Sequence, residues 1–182
     1  NDIFSRDFKS NLLTMDLTND GLDIVGKVNF RNQVMNLVWE QDFKKKDNST
    51  SISLSGSIND KMINNFISDK LKFSGTVDFE ANFLGNSFNL KEGDLFFDFR
   101  NTKIESYILD WAKPKFSSMF LESNINFSDN KEINFYNFKI EGPLIQVDGN
   151  FKFKNNRITN ISLEKFKSYS SRDIISNNFS LK

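Results

Sequence analysis

From Leu71 to Phe83 every odd position is apolar or glycine (Leu71, Phe73, Gly75, Val77, Phe79, Ala81, Phe83), while Lys72, Ser74, Thr76, Asp78, Glu80 and Asn82 fill the even ones. Successive side chains of a strand point to opposite faces, so this alternation predicts one long β-strand with a greasy face and a wet face. Continued to Gly85, such a strand spans roughly 45–50 Å at about 3.4 Å per residue. The same period recurs along the chain. Leu13, Met15 and Leu17 alternate with Thr14 and Asp16, and Ile3, Phe4 and Phe8 before them read as the remnant of an upstream strand. Leu22, Ile24, Gly26, Val28 and Phe30 share a face, as do Met35, Leu37, Trp39 and Phe43, then Ile52, Leu54 and Gly56. Downstream, the greasy rows are Leu95, Phe97, Phe99; Met119, Leu121, Ile125, Phe127; Ile145, Val147, Gly149, Phe151, Phe153; and Ile158, Ile161, Leu163, Phe166. Lys103 to Trp111 reads as one strand of mixed parity. Between Ile133 and Gly142 the apolar parity switches from odd (Ile133, Phe135) to even (Tyr136, Phe138, Ile140), which predicts a β-bulge near Phe135.

The segments between these rows carry turn chemistry. Thr18-Asn19-Asp20-Gly21, Arg31-Asn32, Lys44 to Asn48, Lys91-Glu92-Gly93-Asp94, Ser128-Asp129-Asn130 and Asn155-Asn156 are read as turns. Pro114 has no N–H for a ladder, so pairing is expected to stop at Lys113-Pro114. Beyond Ser168 the chain turns polar and is expected to fray or lead into a further segment. Only Asn59 to Ser68 changes period: Met62, Ile63, Phe66 and Ile67 fall at helical spacing, with Asn59 as N-cap and Asp60 in the first turn. This predicts one short helix that plugs an end of the sheet or packs on its edge, in preference to docking on a membrane. With about twelve strands joined by short connections, the expected fold is mainly β: a long, strongly curved antiparallel meander forming an open groove, with one short α-helix, in a single domain over residues 1–182.

The curvature follows from the glycines. Gly21 and Gly93 are assigned to turns, whereas Gly26, Gly56, Gly75, Gly85, Gly142 and Gly149 fall on the apolar parity of their strands, where glycine lets a sheet curl without inner side chains colliding. The residues expected to line the inside are Leu71, Phe73, Val77, Phe79, Phe83, Leu95, Phe97, Phe99, Leu121, Ile125, Phe127, Phe138, Ile140, Ile145, Val147, Phe151 and Phe153. Alternation alone leaves open whether the curled sheet closes on its own core or stays open and needs an apolar ligand.

Composition narrows the chemistry. The 182 residues hold neither Cys nor His, which excludes thiol chemistry, Cys/His zinc sites and His-based triads; no cofactor or metal is expected. The 24 basic and 24 acidic residues are evenly spread, which speaks against a nucleic-acid surface. No apolar run is long enough for a membrane helix. Asn1 is not a Met, and the chain is read as part of a longer protein. Its 21 Phe, with much Asn, Lys, Ile and Ser, suit an AT-rich coding bias, but bias does not place Phe on one parity of each strand. Asp78 with Glu80, and Asp94 with Asp98, are carboxylate pairs on the wet parity and are read as solvated charge, not as acid/base pairs. Trp111 is read as a buried strand-end anchor, and Lys44-Lys45-Lys46 as a solvated turn.

From Leu54 to Asp173 the order of features resembles the AsmA-like superfamily, and most closely its bacterial YhdP-type branch. The matching pieces are Leu54-Ser-Gly-Ser-Ile before a short helix, Phe73-Ser-Gly-Thr-Val opening a long strand, Leu109-Asp-Trp-Ala-Lys-Pro, Phe138-Lys-Ile-Glu-Gly, Val147-Asp-Gly-Asn-Phe, and Leu163 with the downstream Arg172-Asp173. The resemblance implies a bridge-like lipid-transfer β-groove in the periplasm of a Gram-negative envelope. It would be anchored in the inner membrane by a segment outside this chain and would carry phospholipid by its acyl chains between inner and outer membranes. Members of that family are much longer, and the resemblance supplies no catalytic residue. The expected function is therefore a conduit and not an enzyme. The alternatives are a closed-core structural or adhesive β-domain without ligand, and a fragment of an outer-membrane barrel.

Overall fold

Alternating segments become strands, and short links make consecutive strands antiparallel neighbours. The computed structural model describes residues 8–45, 48–64, 70–87, 89–107, 111–128, 132–155, 157–169 and 174–177. Among the described residues the strands are β1 Phe8–Leu17, β2 Gly21–Phe30, β3 Gln33–Asp42, β4 Ser49–Asn59, β5 Leu71–Asn86, β6 Asn89–Asp98, β7 Thr102–Ser106, β8 Trp111–Lys113, β9 Phe120–Ser128, β10 Glu132–Gly142, β11 Ile145–Lys154, β12 Arg157–Tyr169 and β13 Ile174–Asn177, with a single helix, α1, at Asp60–Asn64. They form one antiparallel sheet in the order β1-β2-β3-β4-β5-β6-β9-β10-β11-β12-β13, with β7 and β8 branching from β5. β1 and β13 each have one partner, so the sheet is open and not a barrel.

Register aligns the greasy parities into rows that cross the whole sheet. One runs Val28–Met35–Gly56–Phe79–Phe97–Leu121–Ile140–Val147–Phe166. A second runs Met15–Ile24–Trp39–Ile52–Phe83–Gly93–Ile125–Phe135–Phe151–Ile161. Bulges keep the rows in phase. The parity switch in β10 is a bulge at Tyr136 and Asn137, where Asn137 takes a positive φ of 52°.

The sheet is strongly curved. Phe73 of β5 shares one buried cluster with Ile145 and Val147 of β11, together with Ile104, Trp111 and Met119. β5 and β11 lie four steps apart, roughly 19 Å in a flat sheet at about 4.8 Å per step, so their common cluster requires the sheet to wrap. The branch occurs in the long strand. Residues 76–86 of β5 pair with β4, while residues 71–75 leave the main sheet and pair with β7. Gly75 marks the junction with φ +120°, and a Cβ there would lie 2.3 Å from the carbonyl oxygen of Asn101. The β7–β8 hairpin thus forms a flap over one end of the trough.

α1 closes the same end. Asn59 caps it, accepting the Met62 N–H at 3.0 Å. Asp60 accepts the Gly75 N–H at 3.1 Å, and the Asn64 amide exchanges two hydrogen bonds with the Phe73 backbone (2.9 and 3.0 Å), standing in for a missing strand partner. Met62 and Ile63 pack inward, one against each buried cluster, as expected for a plug. The rest of the expected helix, Asn65 to Ser68, lies outside the described residues.

Four expectations are corrected. Lys91 to Asp94 is not a turn: it lies inside β6, and Gly93 pairs with Phe83 on the apolar parity. An added Cβ on Gly93 would lie 2.6 Å from the Phe83 ring, so the glycine is there to seat an aromatic and not to turn the chain. The expected strand Lys103 to Trp111 is instead two short strands, β7 and β8, paired as a hairpin. Phe43, placed in the row of Trp39, is exposed, and Gln41 is the buried residue of that parity. Tyr169 continues β12 and Ile174–Asn177 forms a thirteenth strand, so pairing extends beyond Ser168. The expected turns at Asp129-Asn130 and Asn156, and the charged turn at Lys46-Asp47, fall outside the described residues.

Candidate functional site

The inner face of the curved sheet is the candidate site. Along its rows from β1 to β12 stand Leu, Ile, Val, Met, Phe, Trp, Ala and Gly with a few uncharged polar residues (Thr50, Gln41, Ser123, Ser168). No Asp, Glu, Lys or Arg stands on this parity of the main sheet among the described residues. Of the seventeen expected lining residues, Phe73, Val77, Phe79, Ile125, Ile145 and Val147 are buried and the others are half-buried. Phenylalanine rings connect neighbouring strands: Phe79 stacks on Phe97 (6.1 Å), Phe97 on Phe99 (6.4 Å), Phe83 tilts against Phe127 (5.9 Å), and Phe151 lies parallel to Phe135 (4.2 Å) and edge-on to Phe138 (5.2 Å). With Gly93, seven strand glycines lie along this face, and close backbone approach requires most of them, Gly142 against the Met119 side chain being an exception. At Gly85 and Gly149 a Cβ would meet a neighbouring carbonyl at 2.1 and 2.4 Å, each beside a register shift.

The face is covered in the middle and bare at its first strand. Leu13, Met15 and Leu17 are 43%, 65% and 63% exposed although they stand on the same side as the core. At the closed end, beneath the flap and α1, lies a cavity of about 310 Å³ whose wall has no polar atom. Val77, Ile104, Trp111, Met119, Phe73 and Ile145 form its buried wall, and Phe97, Leu121 and Ile140 line both this cavity and the trough.

The flap's two strands are locked together by a residue that sequence reasoning passed over. Lys113 is fully buried, and its ammonium donates to the carbonyls of Thr102 (2.7 Å) and Pro114 (3.1 Å). Burial pushes its pKa below the usual lysine range, against the opposing pull of Asp98. Trp111, two residues earlier on the same strand face, is buried as the expected strand-end anchor, and its indole N–H has no partner among the described residues. A lone Lys before Pro carries no sequence signal for burial; only the hairpin's position supplies one.

The outer face is mostly polar, with Val25, Val34, Val38 and Leu84 exposed among its polar side chains. Asp94, Asn124, Asn137, Asn150 and Glu164 form a hydrogen-bonded ladder over five strands, with Asn137 to Asn124 at 3.0 Å and Asn150 to Glu164 at 3.1 Å. Asp78 bonds Ser57, and Asp98 pairs with Arg100 at 3.7 Å. Asp78 and Asp94 therefore engage neighbouring strands, and all four wet-parity carboxylates lie across the sheet from the trough. Lys44 pairs with Asp20 (2.7 Å) and Lys45 with Asp42 (3.6 Å), as a solvated turn does. Phe96 and Phe120 stack on this outer side (6.3 Å), with Lys139 over the Phe120 ring, an aromatic patch that the alternation did not single out. No group of side chains suited to hold a metal occurs among the described residues.

Comparison with family models, with curated proteins and with solved structures returns no match.

Proposed function

We propose that this chain is a segment of a lipid-transfer conduit whose curved inner face carries phospholipid acyl chains while the headgroup stays in water at the open side. The observation that carries this reading is the uncharged inner face, continuous across the width of ten strands and left bare at β1. Soluble monomers rarely leave apolar patches larger than a few hundred Å² exposed without an interaction to explain them. Moving an acyl chain into water costs about 0.8 kcal/mol per CH₂, so a sixteen-carbon chain is held in its bilayer by roughly 12 kcal/mol. A trough of Phe, Ile, Leu and Val offsets that cost along its length, and a face without charge offers no single strong site at which a sliding chain would stall.

On this reading the protein is not an enzyme. The sequence resemblance adds the setting: the periplasm, with an inner-membrane anchor in the full-length protein and the outer membrane as destination. The closed-core alternative is favoured by the two buried clusters, which hold the fold together without any ligand.

Photo-crosslinking separates the two. Phe83 and Phe127 stand half-buried on the inner rows; Asn82 and Asn126 are their exposed outer neighbours. A photoreactive residue at Phe83 or Phe127, in protein expressed in a Gram-negative host, is expected to capture phospholipid, and the same probe at Asn82 or Asn126 is not. Equal capture on both faces, or none, refutes the conduit and leaves the closed-core domain.

A further inference from the structure

We propose that the 310 Å³ cavity beneath the flap and α1 is a seat for the methyl end of a single straight hydrocarbon chain of about twelve carbons. The wall exposes no polar atom, so nothing in it can recognise a headgroup, a peptide or a sugar. Water is disfavoured there as well, because an internal water needs two to four polar partners. An apolar cavity of about 150 Å³ takes the six carbons of benzene, which scales to roughly twelve carbons for this one. Its deep wall is immobile by its packing: Val77 is 1% and Ile104 2% exposed, with Trp111 and Met119 close behind. Its near wall is the trough itself, through Phe97, Leu121 and Ile140. A chain therefore enters from the trough with its methyl end leading and its polar end outside. The helix and the flap, which is paired to β5 through β7, close the far side, so this end holds a chain and does not pass it on.

The inference deepens the lipid reading, on which it rests for the source of the chain, but the seat requires no passage. The test uses saturated straight-chain fatty acids of about eight to sixteen carbons, below their micelle concentrations, with Trp111 as reporter in a Trp39→Phe background. Each added CH₂ is expected to tighten binding about fourfold up to roughly twelve carbons and little thereafter. A bromine on the terminal carbon of dodecanoic acid is expected to quench Trp111 strongly, and one beside the carboxyl weakly. Val77→Phe fills part of the cavity and is expected to move the cutoff shorter by roughly two carbons. Ile140→Phe provides a second, less buried filling should Val77→Phe fail to fold. Affinity that keeps climbing through sixteen carbons, stronger quenching from the carboxyl-end bromine, or a cutoff unmoved by a folded filling variant overturns the seat. Inner-face crosslinking with no cutoff would sink the seat alone; a cutoff without phospholipid capture would sink the conduit alone.

Discussion

Gly75→Ala tests whether the long strand's change of partner builds the closed end. Gly75 sits at φ +120°, a conformation that L-residues rarely adopt. An added Cβ would lie 2.3 Å from the Asn101 oxygen and 3.3 Å from both the Asn101 carbonyl carbon and the Thr102 Cα. All three are backbone atoms, so no flexible side chain can swing away. A disfavoured backbone conformation costs about 1–3 kcal/mol, and overpacking adds about 1–3 kcal/mol. Together these give roughly 2–6 kcal/mol against a total stability of about 5–15 kcal/mol. In a chain of this size such a loss lowers the melting temperature by roughly 4–24 °C. Gly142→Ala is the control: its nearest neighbour is the flexible Met119 side chain at 3.0 Å, and its expected loss is about 1 kcal/mol or less. Urea unfolding measures both, and Trp111 emission, shifted to the red where the flap loosens, reports the local effect. Equal losses from Gly75→Ala and Gly142→Ala, with Trp111 emission unchanged, would refute the assignment of Gly75 as the point where the strand is bent over the trough.

Lys113 makes stability depend on pH in the alkaline range. The folded pKa of Lys113 is lowered by burial, so between that value and the unfolded value near 10.5 the unfolded chain binds more protons and stability rises with pH. Lys113→Met is expected to remove this rise, read as the difference between the urea midpoints of the two proteins across the alkaline range; parallel curves would contradict it. Asn59→Ala removes the hydrogen bond to the Met62 N–H and is expected to cost about 1 kcal/mol, with Asn59→Asp largely retaining stability. A loss from Asn59→Ala no larger than from an exposed control such as Ser118→Ala would show that α1 does not need its cap.

How far alternation reaches is seen by comparing β5 with β7 and β8. Strict parity from Leu71 to Phe83 made β5 unmistakable, and the strand's buried and exposed positions alternate as read. β7 and β8 are five and three residues long, too short for a period to separate them from one mixed strand, and only the pairing of Ile104 with Lys113 reveals the hairpin. Gly93 shows the same limit in reverse: Lys-Glu-Gly-Asp has the composition of a turn, and partners across β5 and β9 override it. The bulge in β10 was legible because it displaces every later side chain to the other parity. Those in β12 were not, since Ile158 and Ile161 can be read on either side of a shift.

The order of side chains along the chain determined by itself that this protein is an antiparallel sheet with one greasy face, where its bends require glycine, and that the face bears no charge. These are local properties: a period of two decides which side each residue takes, whatever the strands later pair with. Tertiary structure alone decided that residues 71–75 of β5 leave the main sheet, that a flap locked by a buried lysine covers one end, and that an apolar cavity lies beneath it. Each depends on segments far apart in the chain meeting across the curve of the sheet, and no local pattern records the distance between Phe73 and Ile145.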